Sequence, residues 1–524
     1  MPRPKFSLEP GGPKRLKMSW GWRWRNLTLR LDGNPIGMVA DEQELVAGRA
    51  FALADGSTLR VQLVRKFLYP RLRLLRNGQP LPGSASGDLR RRFGIVYVLG
   101  LLLIAGGIAA VQHYLSFGRT SPLELPDKPS LVVLPFTNLS DKPEHEYFSD
   151  GMAAELTDDL SRLPGLFVID IASAFRYREA KKSQGVSRGL GVRYVVKGGA
   201  RRIGDQVEIT VQLGDATAPC YVWAECSLWT ERYQRPGKEL FALQDEIAQK
   251  IVATLGVQLT PQEQERLRQV ETNNLEAYDY FQRAYRLYLR GTEEANAQAR
   301  HLAERAIELD PQYAGAHVLL GVVYWQQWFR GWSQNPQIMR QAVALAQQAI
   351  VLNNSRADAH ALLAYAYLLE GQHDQAIAEG ERAIALNVNF ADAYATLGLV
   401  LYFAGRPEEA VAALKKALRL NPRHPESYFL DVGRAYWLAG QHEEAEAAYK
   451  NALDHNPADV EAHIGLAVVY HEAGQEGKAQ DQAEAILEID PGFSLASAGR
   501  RWAPYKDPMV LQRILTALRK AGVQ

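Results

Sequence analysis

Four groups of residues in the 524-residue chain have types and spacings from which chemistry could be built. Asp141, Glu144, His145 and Glu146 share one loop and could offer oxygen and imidazole ligands to a hard cation, although solvated loop charges look the same in sequence. Gly198-Gly199 would matter if it opened a phosphate loop, but no GxxxxGK[ST] or GxGxxG precedes a helix there, so the pair reads as a β-bulge or tight turn. Cys220 and Cys226 are the only cysteines, and on one extended run they would stand roughly 20 Å apart, too far to bridge without a turn. Trp325, Trp328 and Trp332 recur at i, i+3, i+7 beside Phe329 and Arg330, and aromatic and Arg side chains are those that anchor protein interfaces. The competing reading of that cluster is packing onto a neighbouring domain or its own repeat. An HExxH helix is also missing. The sequence therefore assigns no catalytic residue, no cofactor and no metal ligand set, and the expectation is a non-enzymatic protein.

Residues 93–118 contain no Lys, Arg, Asp or Glu, and 93–117 are apolar enough to be expected as a transmembrane helix. Arg73, Arg76, Arg90, Arg91 and Arg92 precede it whereas Arg119 and Lys128 follow, so the positive-inside rule places residues 1–92 in the cytoplasm. The expectation is a single-pass protein of the inner (plasma) membrane with its C-terminal mass in the periplasm or otherwise outside the cytoplasm. Residues 1–92 hold 18 Lys+Arg against 7 Asp+Glu, a surplus of 11, so the whole-chain net charge of +1 leaves −10 for the remainder. The basic segment alternates in polarity and is broken by Asp-Gly and Asn-Gly, the pattern of a small β-rich domain. Trp20, Trp22 and Trp24 alternate with Arg23 and Arg25, which single-stranded nucleic acid or an inward-packed stripe would both explain. Anionic lipid met by a surface cluster of Arg90, Arg91 and Arg92 is preferred, and nucleic acid is not the expected partner. A winged-helix regulator would need a 3.6-residue apolar period that the segment lacks.

After a Pro-rich linker (118–129), residues 130–260 alternate strands and helices: SLVVLPF is a doubly covered strand, Met152, Leu156, Leu160 and Leu163 keep helical spacing behind an N-cap at Ser149 or Asp150, and Phe241–Leu255 is an amphipathic helix. The stretch SLVVLPFTNLSDKPEHEYFSDGMAAELTDDLSRLPGLFVI, with GLGVRYVVKGGARR, VWAE and ELFALQDEIAQKIVATL, resembles the extracytoplasmic domain related to the TolB N-terminal domain and to FlgO. That domain recurs beside class III adenylate cyclases and behind membrane-anchored regulators of the CadC type, and the resemblance implies a fold but no catalytic residues.

Asn353, Asn387, Asn421, Asn456 and Asp490 recur at intervals of 34, 34, 35 and 34, and Gly371, Gly405, Gly440 and Gly474 keep the same beat. A period of 34 is the tetratricopeptide signature, with about six units over 275–493, an all-α superhelix with a concave groove, and a capping helix within 494–524. The fold class expected is thus multidomain: a β-rich N-terminal domain, one transmembrane helix, an α/β domain and the superhelix. The expected function is an interaction scaffold or signalling protein that binds a protein or peptide in its groove. A one-component membrane-bound transcription regulator, or an accessory or degenerate member of the cyclase-linked signalling proteins, is the alternative.

Overall fold

Two Asx-Gly dipeptides shape the N-terminal strands, because a two-residue hairpin turn that follows the strand twist needs positive φ at both central positions. Asp32-Gly33 sit at φ 52° and 91°, Asn77-Gly78 at 49° and 82°. The computed structural model describes residues 5–19, 26–66, 69–81, 123–178, 183–218, 227–333, 335, 337–423, 427–496 and 505–524. They divide into two compact units, Met1–Thr120 and Ser121–Gln524.

In the first unit, β1 (Lys5–Phe6), β2 (Leu16–Ser19), β3 (Leu27–Leu31) and β4 (Asn34–Val39) form one antiparallel sheet. After α1 (Glu42–Ala47), β5 (Arg49–Ala52), β6 (Thr58–Lys66), β7 (Tyr69–Arg76) and β8 (Gln79–Pro80) form a second sheet of the same order. The two sheets are copies of one meander. Leu16 opposite Leu31 and Met18 opposite Leu29 correspond to Leu59 opposite Arg76 and Val61 opposite Leu74. Pro35 opposite Arg30 corresponds to Pro80 opposite Leu75. Alternate residues of both copies, among them Leu16, Met18, Leu29, Leu59, Val61 and Leu74, meet in one core.

One element of the expected fold class is corrected. No helix among the described residues is long and apolar enough to cross a membrane, and 93–117 lie outside those residues. The reason is dimensional: an apolar helix such as Ala314–Phe329 has 16 residues, about 24 Å at 1.5 Å each, short of a hydrocarbon core of roughly 30 Å. Arg90, Arg91, Arg92, the Trp20–Trp24 stripe, Cys220 and Cys226 also lie outside the described residues.

The second unit opens with β9 (Ser130–Val133), β10 (Thr137–Asn138), α2 (Glu146–Ser161), β11 (Phe167–Val168), α3 (Ile171–Phe175) and α4 (Ser183–Leu190). Next come the long strands β12 (Tyr194–Ile203), β13 (Gln206–Asp215) and β14 (Ser227–Pro236), then α5 (Leu240–Thr254) and α6 (Pro261–Leu267). The sheet order is β11-β9-β12-β13-β14, parallel up to β12 and antiparallel after it. Leu131, Val132 and Val133 are wholly buried, as a strand covered on both faces requires. Helix α2 begins at Glu146 behind a short 3-10 turn started by Pro143, so Ser149 and Asp150 are inside the helix and neither is its cap. Gly198 and Gly199 lie in mid-strand with the β12–β13 register unbroken, which excludes the expected bulge. Their function is close packing: a Cβ on Gly198 would come within 2.7 Å of the Phe136 ring and of the Thr210 carbonyl, and one on Gly199 within 2.9 Å of Leu139.

Among the described residues twelve helices follow in six antiparallel pairs: α7 (Leu275–Tyr288) with α8 (Glu293–Leu309), α9 (Ala314–Phe329) with α10 (Gln337–Leu352), α11 (Ala357–Leu369) with α12 (His373–Leu386), α13 (Ala391–Phe403) with α14 (Pro407–Leu420), α15 (Ser427–Leu438) with α16 (His442–His455), and α17 (Val460–Glu472) with α18 (Glu476–Ile489). A final helix, α19 (Pro508–Lys520), ends the chain. Gly371, Gly405, Gly440 and Gly474 each turn one helix into the next at φ 71–81°, which explains the period they keep.

The packing of β12 makes a direct test. Gly198→Ala in the full chain is expected to cost about 1–3 kcal/mol through overpacking against Phe136, whereas Gly185→Ala, in open space on α4, should be neutral or stabilise by up to about 1 kcal/mol. Thermal unfolding of the two variants checks both signs.

Candidate protein-interaction groove

Along the array the first helices of successive pairs touch one another, so α7, α9, α11, α13, α15 and α17 lie on the inner radius and line the concave face. Of the five residues singled out as an interface, the structure brings Trp325 and Phe329 together. They are one turn apart on α9, their rings stacked at 5.0 Å and 13°, with Tyr365 of α11 edge-on to both at 5.2 and 6.3 Å. Phe329 is 48% exposed. The expected single tryptophan face does not form, because the helix ends at Phe329 and Gly331 turns at φ +72°, which takes Trp332 off the helix. Trp328 and Trp332 are half-buried, and Arg330 is exposed beside the Gly291 turn. The cluster thus sits between two repeats, with Trp325 packed among Ala346, Leu362 and Leu363.

The groove is partly filled by the chain itself. Helix α2 runs along α7, where Gln282 donates to Glu155 (2.9 Å) and Arg286 pairs with Glu146. Gly151 makes room at this crossing, since a Cβ there would meet the Gln282 side chain at 2.5 Å and displace it. The period-marking asparagines hold the same domain. Asn387 donates to Ser161 Oγ (2.6 Å), Asn421 accepts from Ser173 Oγ (2.5 Å), and Asn353 donates to Glu271 in the connector (3.2 Å). Asn389 adds bonds to the carbonyls of Ser161 and Leu166 at 2.8 and 3.2 Å. Arg419 donates to the Leu190, Gly191 and Glu124 carbonyls while its guanidinium covers the Phe167 ring at 4.5 Å. Tyr278, Ala391 and Leu420 of the array join the α/β core.

Carboxylates crowd this junction. Glu271 accepts from Gly315 N at the start of α9 and from Arg356, at 3.1 and 2.9 Å, and so clamps two repeats. Glu155 and Asp159 of α2 keep a solvent-facing edge, yet protein surrounds them. Burial, reinforced by Asp158 and Glu271, raises Glu155 to about 8, against the pull of Arg356. Burial likewise raises Asp159 to about 7, opposed by Arg162. Asp170 is raised to about 7 by burial and by Asp392 across the junction.

At the other end the C-terminal helix does more than cover the last repeat. Arg513 grips Glu472 of α17 with two bonds of 2.9 Å and lies 4.6 Å over Trp437 of α15. Tyr505 packs on Phe403 of α13 at 4.4 Å, and Lys506 N donates to the Phe403 carbonyl at 2.9 Å. The segment therefore reaches back across three repeats.

Glu271, Asn389 and Arg419 were invisible to pattern reading, because their partners are main-chain groups or residues more than forty positions away. Asn387 was noticed only as a marker of the period. Asn387→Ala combined with Asn389→Ala should cost about 1–3 kcal/mol for each buried partner left unpaired, whereas Asn456→Ala, at the matching position without a domain contact, should cost about 1 kcal/mol or less; chemical denaturation of the full chain measures the difference. A second expectation concerns pH. Carboxyls raised in the folded state hold protons that the unfolded chain releases, so their contribution is most favourable below the ordinary pKa near 4 and is lost as pH rises through about 7 to 8. The thermal midpoint should fall over that window, and Glu155→Gln should flatten the fall.

Comparison with known proteins supports the repeat period directly. Models described as tetratricopeptide repeat match residues 286–327, 357–389, 389–458 and 436–501. A Rhizobium meliloti (strain 1021) protein named putative adenylate cyclase 3 is 38% identical over 224 residues, 42% of this chain and 37% of that protein. The chain thus spans under two fifths of that relative's length. Among solved structures, the Thermus thermophilus tetratricopeptide protein TTC0263 is 27% identical, covering 39% of this chain and 99% of its own at a TM-score of 0.30. Pseudomonas aeruginosa pilF is 18% identical, covering 45% and 97% at a TM-score of 0.33. The helix pairs that these models match are tetratricopeptide repeats.

Proposed function

We propose that this chain is a non-enzymatic interaction scaffold, and that a protein partner docks on the stretch of concave face left between helix α2 and the C-terminal segment. The observation that carries the reading is the stacked Trp325–Phe329 pair with Tyr365 against its edge, an aromatic surface of which Phe329 is about half exposed. Rigid aromatic side chains supply large contact area at little entropic cost, and an Arg330 guanidinium beside them adds directional hydrogen bonds. The sequence offers no nucleophile, base and oxyanion donor in any recognised arrangement, which keeps the reading on binding.

The partner we favour is a signalling protein. What supports this is the 38% identity to part of a protein named a putative adenylate cyclase, whose remaining length this chain does not span. The present chain would then serve as a recognition module in nucleotide signalling, with no cyclase chemistry of its own.

The experiment is quantitative affinity capture with the full chain from cells that express it naturally. Phe329→Asp with Tyr365→Ala should lose the partner by about 2 kcal/mol, roughly thirtyfold, while Met509→Ser, an exposed site on α19, should keep it. Equal capture by both variants would remove the aromatic surface from the interface.

A further inference from the structure

The first repeat has an outer face that no preceding repeat covers, and the structure places a cavity of ≈ 540 Å³ there, between α7, α8 and the start of α2. Arg283 and Arg286 line it from α7, at i and i+3, Arg290 joins them from the turn after the helix ends at Tyr288, and His301 lines it from α8. Arg286 is committed to Glu146. Arg283 lies 5.6 Å over the Tyr280 ring, and among the described residues neither it nor Arg290 is in an ion pair. Glu144 is the single carboxylate on the wall. The floor is apolar, made by Leu287 and Leu302.

A polar outer face would be enough to keep a terminal repeat soluble, and mixed charges usually provide it. Arg283 and Arg290, beside the already paired Arg286 on one apolar hollow, do something narrower, because the guanidinium fork matches carboxylate geometry and two like charges raise the cost of leaving the site empty. The aromatic surface is also near, since Arg330 lies against Gly291 in the α7–α8 turn, next to Arg290.

We infer that this cleft takes an acidic segment of the protein partner, carboxylate side chains on the arginines with an apolar side chain between them on Leu287 and Leu302. The inference rests on the scaffold reading above and specifies the partner's chemistry. A partner segment would run from the Phe329 surface over the Gly291 turn into the arginine cleft.

The test uses the full chain and a fluorescent peptide of alternating Glu and Leu, followed by anisotropy, with a Lys-Leu peptide and pyrophosphate as comparators. The acidic peptide should bind, weaken steeply with added salt, and lose about tenfold or more in affinity in Arg283→Glu with Arg290→Glu, two exposed positions whose exchange leaves the fold intact by circular dichroism. Phe329→Asp should leave this short peptide bound, so that failure of the aromatic surface and failure of the cleft are told apart. Equal binding of acidic and basic peptides, or full affinity in the double arginine variant, overturns the inference. Binding of pyrophosphate without the acidic peptide also overturns it, and makes the cleft a small-anion site.

Discussion

A repeat that buries its apolar face only against its neighbours leaves two ends with nothing to bury against, and the rest of the second unit is organised by that constraint. At the first end the uncovered flank of α7 receives helix α2, and Tyr278 enters the α/β core outright. At the far end Ile514, Ala517 and Leu518 of the C-terminal helix close the core over α17 and α18. Neither cover is a repeat, and each extends past the end it covers. The α/β layer continues along the inter-repeat loops as far as Asn421, and Tyr505 reaches back to Phe403. The two covers thereby decide which part of the concave face stays open.

The same asparagine position shows how a structural residue acquires a second role. Its Oδ1 accepts a bond from an amide two residues on, which closes the loop and explains its period: Ser355 N at 3.0 Å, Asn389 N at 3.1 Å, Ala458 N at 3.2 Å. In Asn353 and Asn387 the amide nitrogen remains, and the domain or its connector takes it up. A regular array thus presents evenly spaced donors along one edge, and a sheet domain with exposed carbonyl and hydroxyl oxygens needs little else to dock. The penalty is electrostatic. Glu155 and Asp159 are enclosed by protein at the junction, and burial, reinforced by the neighbouring carboxylates and opposed by Arg356 and Arg162, raises both.

Legibility followed the distance over which a signal is written. The 34-residue period was plain because each unit repeats the same Gly turn and the same loop Asn, all local demands on the backbone. Strand β9 was visible as an apolar run, yet Gly198-Gly199 was misread, since the need for glycine comes from Phe136 and Leu139 and not from any turn. The tryptophan face failed for a related reason: i, i+3, i+7 defines a face only while the helix lasts, and Gly331 ends it before Trp332. Sequence spacing located the aromatic cluster but not the residue completing it, because Tyr365 comes from the next repeat.

The duplication in the first unit shows the same limit from the other side. Leu27 and Leu72, Leu29 and Leu74, Gly33 and Gly78, Pro35 and Pro80 all stand 45 apart, while Leu16 and Leu59 stand 43 apart because the second copy has a shorter first turn. Two copies with a shifted register give no single period, and their identities are the generic ones of a hairpin: Leu in the core, Asx-Gly at the turn, Pro on the short edge strand. What establishes the correspondence is pairing, since β3 to β4 and β7 to β8 share one register and both copies direct alternate leucines into one core. A period written in backbone demands can be read from one strand of sequence; one written in strand partners requires the partners.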